Sequence, residues 1–241
     1  MDRQLLWKEW TEHRWKMALG CVLLMGLAWI GLRTRVIPDE GIYAICIIIG
    51  AGLMPLFVAM GVTGTDQSEN SLGFLLSLPV SSARVFKAKL LVATLVVLVP
   101  LLGSLVVCLL LSAGREFRVA LLLWGYGVGI WFGLQLLIWT VAFGIRARSE
   151  TGVATAGLLV VFFWALYMFV GETTIWGRAE QLFWTLTPLG LPAWLSNHDG
   201  SCPRGFRLLT FIITLSVQTA TAAFLIRWSI QRLSLAYRRN S

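Results

Sequence analysis

The chain has 241 residues, of which 57% are hydrophobic and only 13% charged, with 20 Lys and Arg against 12 Asp and Glu for a net charge of +8. That charged share is about half the roughly 25% of ordinary soluble domains. Because the apolar residues are gathered into blocks long enough to cross a bilayer, about 20 residues each, a soluble globular enzyme is excluded and an all-α membrane protein is expected.

The first segment, 1–16, reads as an amphipathic interfacial helix. Leu6, Trp7, Trp10 and Met17 fall toward one side, and Lys8, Glu9, Glu12 and Lys16 toward the other. Lys8, Glu12 and Lys16 are spaced to pair along that polar side. Tryptophans at headgroup depth would hold such a helix in the membrane surface, leading into the first span.

Six apolar blocks without a charged residue follow: Met17–Leu32, Gly41–Thr63, Leu90–Ala113, Val119–Ile145, Gly152–Gly171 and Leu208–Ile226. Pro55 and Pro100 lie inside the second and third, where the missing N–H bends a helix and requires a packed neighbour. Gly125, Gly127, Gly129 and Gly133 favour close packing of the fourth, with the last two in G-x-x-x-G spacing. Cys21, Cys46 and Cys108 read as small apolar fillers.

Between spans two and three, 64–88 is a polar interruption. Asp66, Ser68 and Asn70 offer capping oxygens, and Leu72, Phe74, Leu75, Leu76 and Leu78 make an apolar pattern too short to cross a membrane. Pro79 ends it, and Ser81 or Ser82 can cap a new helix carrying Arg84, Lys87 and Lys89 into span three. The expectation is a short helix joined rigidly to a span. The link 146–151 is too small to be a domain. The outer segment 172–207 mixes Trp176, Trp184 and Trp194 with Pro188, Pro192 and Pro203, which suits short interfacial helices. The whole of 1–241 reads as one transmembrane domain.

Cation placement sets the expected orientation. With the N terminus cytoplasmic, thirteen Lys and Arg fall inside and seven outside, so both termini are expected in the cytoplasm of a cell-membrane protein. The positive charge needs anionic lipid as its partner and no nucleic acid.

Chemistry-bearing motifs are few. None of the four lysines follows a glycine, so there is no phosphate-binding G-x-x-x-x-G-K-[ST] loop. His13 and His198 lack metalloprotease spacing, and no G-x-S-x-G elbow occurs. No catalytic, metal or cofactor residue is expected. The six blocks hold no acid and no histidine, which weakens an ion-coupled carrier. Gln135 and Gln218 could touch a substrate or bond between helices.

Glu69-Asn70-Ser71, then Leu75-Leu76-Ser77-Leu78-Pro79-Val80-Ser81 and Lys89-Leu90-Leu91, resembles the first cytoplasmic loop of ABC-2 type transporter permeases. Leu6-Trp7-Lys8-Glu9 is similar to that family's connecting helix. The chain departs from the family pattern at Leu72, where many members have Thr, and at Ser82, where the cation is delayed to Arg84. The resemblance implies six transmembrane helices, a coupling helix between spans two and three, and the permease subunit of an ATP-driven exporter of a hydrophobic or amphipathic substrate. It implies a separate ATP-binding subunit that holds the ATP, and a second permease copy or paralogue. By the same resemblance Leu75, Leu76 and Pro79 shape the coupling helix, Glu69 stabilises its start or meets the ATPase, and Arg84 and Lys87 anchor the next helix. A secondary carrier and a non-transporting membrane scaffold are the alternative readings.

Overall fold

A computed structural model describes residues 3–35, 37–64, 81–113, 119–144, 150–173 and 204–240. Among these residues all regular structure is helical. In chain order the elements are α1 (Arg3–Thr34), α2 (Asp39–Ile48), a π-helical turn (Ile49–Leu53), α3 (Met54–Ala59), a second π-helical turn (Met60–Gly64), α4 (Ser82–Ser112), α5 (Val119–Gly144), α6 (Glu150–Thr173) and α7 (Arg204–Asn240). Among the described residues, four apolar stretches are long enough to span a membrane: Arg3–Thr34, Asp39–Thr63, Ala83–Ser112 and Leu122–Gly144.

The N-terminal segment differs from its expected form. It runs without a break into the first apolar block, giving one helix of 32 residues and about 48 Å, well beyond the roughly 30 Å of a hydrocarbon core. Its buried face is a single seam: Glu9, His13, Lys16, Gly20, Leu24, Ala28 and Leu32, each three or four residues after the last. The side expected to be polar is therefore split. Lys8 and Glu12 pair at 3.4 Å and remain open to solvent, whereas Glu9 and Lys16 are carried inward by the seam. Trp7 and Trp15 are exposed instead. At its far end α1 stops where Arg35 takes a left-handed conformation, φ 53°, and returns its N–H to the Gly31 carbonyl at 3.2 Å.

The second span is built in pieces. Pro55 sits at the start of α3, between the two π-helical turns. A π turn leaves a carbonyl without its usual partner, and Thr63 Oγ1 donates to the Ala59 carbonyl at 2.9 Å. The third span, α4, starts where expected. Ser81 is its N-cap by position, but its hydroxyl makes no cap bond. Pro100 lies inside α4, one turn before Ser104, whose hydroxyl bonds to the Leu101 carbonyl at 2.8 Å.

α4 packs most extensively on α1, and α5 contacts α3, α4, α6 and α7. Small residues permit the closest approaches. A Cβ at Gly133 would stand 3.1 Å from Ala51 Cα and 3.2 Å from its carbonyl oxygen, so α5 lies directly against the first π turn. A Cβ at Gly129 would enter the Ile47 side chain at 2.6 Å. Both members of the G-x-x-x-G pair thus face the second span. Gly26 has open space around it. Gly133→Val should lower the stability of the detergent-solubilised chain by about 1 to 3 kcal/mol through overpacking, while Gly26→Val should leave the thermal unfolding midpoint much less affected. Equal midpoints for the two variants would contradict this packing.

Candidate functional site

Polar groups buried in the bundle are costly unless they are paired, so they mark the places where function can reside. The densest group is at the end of the bundle where α1 begins. Glu9 is completely buried on α1, and its Oε1 lies 2.8 Å from Nζ of Lys89 on α4. Its Oε2 faces Nε2 of His13, one turn along, at 3.9 Å. Lys16, a further turn on, sends its ammonium over the Phe57 ring, 5.2 Å from the centroid, and beside Trp15 at 5.7 Å. Trp15 and Phe57 meet edge to face at 5.8 Å, a contact between α1 and α3.

The same ammonium rests on the second π turn. A Cβ at Gly61 would collide with Lys16 Nζ and come within 3.4 Å of the His13 ring. Glycine is required for that approach unless the lysine moves. On its other side the turn meets α5: a Cβ at Gly144 would stand 2.8 Å from Thr63 Oγ1 and 2.9 Å from Val153 of α6. The start of α1 is thus joined to the residues just before 65–80 through Lys16 and Gly61. It is joined to the helix just after that segment through Glu9 and Lys89.

Glu9, Glu12 and His13 also place two carboxylates and an imidazole within 4.8 Å of one another. Lys89 on Glu9 and Lys8 on Glu12 supply the positive charge for both acids. The arrangement is that of ion pairs.

Two smaller polar ties continue along α4. Ser104 shares a 3.1 Å hydrogen bond with the Tyr126 hydroxyl of α5, and Cys108 Sγ lies 3.6 Å from the same oxygen. Near the other end Ser112 bonds to Tyr43 of α2 at 2.6 Å. Cys46 and Cys108 are fully buried. They fill the core as expected, and the Cys46 thiol points to the Leu24 carbonyl at 3.9 Å.

Of the residues expected to matter from sequence, Glu69, Leu75, Leu76 and Pro79 lie outside the described residues, as do most of 64–88 and of 172–207. Arg84 and Lys87 are exposed on the first turns of α4, while Lys89 turns into its buried seam with Val85, Val92 and Val96. Gln218 on α7 accepts a hydrogen bond from Trp131 Nε1 on α5. Gln135 is buried, and its Oε1 has no hydrogen-bond partner among the described residues. Thr140, one and a half turns along α5, is likewise buried with its hydroxyl unpartnered among those residues.

Sequence reasoning missed the Glu9, His13, Lys16 and Lys89 group. The signal was present: the three- and four-residue spacing of Gly20, Leu24, Ala28 and Leu32 extends backwards through Lys16, His13 and Glu9. Comparison with known proteins finds no matching family model and no significantly similar curated protein.

The Gln218 bond has a measurable consequence. Trp131→Phe and Gln218→Leu should each cost about 1 kcal/mol of stability in detergent. The double variant should cost clearly less than the sum, because one shared bond is removed. Strict additivity in thermal unfolding would show that the two side chains act independently.

Proposed function

We propose that this chain is the permease subunit of an ATP-driven exporter of the ABC-2 type. In this reading it moves a hydrophobic or amphipathic substrate across the cell membrane beside a second permease copy or paralogue, and a separate subunit hydrolyses the ATP. The observation that carries the reading is the segment between the second and third spans, from Glu69-Asn70-Ser71 through Leu75-Leu76-Ser77-Leu78-Pro79-Val80-Ser81 to Lys89-Leu90-Leu91. A subunit without a phosphate-binding loop needs a stiff element to receive work from its partner.

Four features support it. The chain's long apolar helices suit a membrane-embedded protein. The 65–80 segment leaves one packed span and enters another, so displacement of the segment reaches two spans at once. Both of its flanks are fastened to α1 by charged side chains, which gives a push on the segment a third helix to move. With six spans and the N terminus inside, thirteen of the 20 cations would fall on the side that carries both termini and the 65–80 segment, which fits a cytoplasmic location for all three.

A secondary carrier gains one argument from the buried Glu9 and His13. Buried ionisable groups of this kind serve as proton relays in ion-coupled carriers. Their place at one end of the bundle, paired with Lys89, fits a mechanical joint better than a relay through the bundle.

Affinity purification of the tagged chain from its native membrane in mild detergent, followed by mass spectrometry, separates the two. The exporter reading expects a stoichiometric ATP-binding cassette protein that is lost when Glu69, Leu75 and Leu76 are replaced by alanine. Recovery of the chain without an ATPase, together with transport that follows an ion gradient, would favour the carrier.

A further inference from the structure

We propose that Cys46, Cys108 and Tyr126 form a binding site for one soft monovalent metal ion, Cu(I) or Ag(I), between α2, α4 and α5. The site stands whether or not the chain is an exporter. Filling the core accounts for the burial of two cysteines, but it does not require their thiols to meet.

Three helices bring the groups together. Cys46 on α2 and Cys108 on α4 are both 0% exposed, and their thiols hydrogen-bond to one another. The Tyr126 hydroxyl of α5 stands 3.6 Å from Cys108 Sγ and within hydrogen-bonding reach of Cys46 as well. Ser104 donates its proton to the Leu101 carbonyl at 2.8 Å, so in its 3.1 Å bond with Tyr126 the tyrosine is the donor. Cys46 points its S–H to the Leu24 carbonyl at 3.9 Å. Each sulfur still has lone pairs to offer a metal. One turn along from Cys46, Leu24 and Leu101 close over Gly50, where an added Cβ would stand 3.0 Å from Leu24 Cδ1 and 2.5 Å from Leu101 Cδ2.

Two sulfurs without a carboxylate or imidazole select a soft ion. Zinc needs four ligands, and calcium and magnesium need several oxygens, whereas Cu(I) and Ag(I) accept two sulfurs in line. Charge leads to the same ions, because a buried cation is tolerated only when it is neutralised. On binding, the Cys108 S–H bond breaks, its electron pair forms the bond to the metal, and the proton leaves to water. Cys46 coordinates as a thiol and keeps its S–H on the Leu24 carbonyl. One monovalent cation and one thiolate make a neutral complex, and no oxidation takes place. The Tyr126 O–H turns from Ser104 to the Cys108 thiolate, supporting the ligand from outside the metal's own shell. A way in is at hand: the π turn Ile49–Leu53 begins three residues after Cys46, and helices yield at such turns.

The full-length chain carrying Cys21→Ser and Cys202→Ser keeps Cys46 and Cys108 as its two thiols. In mild detergent it is given Ag(I) together with excess glutathione, desalted and weighed by native mass spectrometry. The expected product holds one Ag(I) per chain and has lost one proton, and X-ray absorption at the silver edge shows two sulfur neighbours. Adding Cys46→Ser or Cys108→Ser should surrender the ion to glutathione, and adding Tyr126→Phe should release it at about tenfold less glutathione. Thermal unfolding without metal checks that each variant is folded. A parent chain that keeps no silver in the presence of glutathione, silver with a single sulfur neighbour, or retention unchanged in either serine variant would overturn the proposal. The first two readouts need neither serine variant, so they decide the matter even where one of these fails to fold.

Discussion

The ion pair between Glu9 and Lys89 is the constraint around which the described bundle is arranged. A carboxylate with no exposure to solvent cannot remain charged unless a cation reaches it, and here one does at 2.8 Å. That requirement fixes the rotation of α1 about its axis, because Glu9 must face α4. It fixes the height of α4 as well, because Lys89 must arrive at the same level. Once both are set, the seam from Gly20 to Leu32 and the seam from Val92 to Cys108 are brought face to face. Buried pairs of this kind contribute little net stability compared with apolar residues of the same size, so their value lies in defining one arrangement over others.

α4 then acts as the spine. It is tied to α1 by Lys89, to α5 by Ser104 and to α2 by Ser112, at three successive depths. Between these ties the contacts are apolar and close, made by small residues such as Ala88, Ala93 and the glycines of α5. The second span is the part least committed to regular geometry, with two π turns on either side of α3. Helices yield at such turns. The second π turn lies between Lys16 and Gly144, immediately before 65–80.

Much of this was legible in the sequence. The long helices were, because length and apolarity determine them, and so was the start of α4, because Ser81 and Ser82 follow Pro79 as capping residues. The close approach of α5 to the second span was readable from Gly129 and Gly133. The inward turn of Glu9, His13 and Lys16 was legible only as a continuation of the Gly20, Leu24, Ala28 and Leu32 spacing, and their charge argued for water in place of a helix partner. Lys89, far away in sequence, supplies the charge that meets Glu9. The π turns were also invisible, since Pro55 signals a disturbance but not how the lost hydrogen bonds are redistributed. Gln218 carried both meanings from the start, and its bond to Trp131 is the interhelical one.

Exchanging the two charges tests the central constraint most directly. Glu9→Lys and Lys89→Glu should each lower the thermal unfolding midpoint of the solubilised chain strongly, since each leaves like charges buried together, at a cost of about 3 to 5 kcal/mol. The chain carrying both exchanges should recover most of that loss. A double exchange as unstable as the worse single variant would show that the pairing of Glu9 with Lys89 does not set the arrangement of α1 and α4.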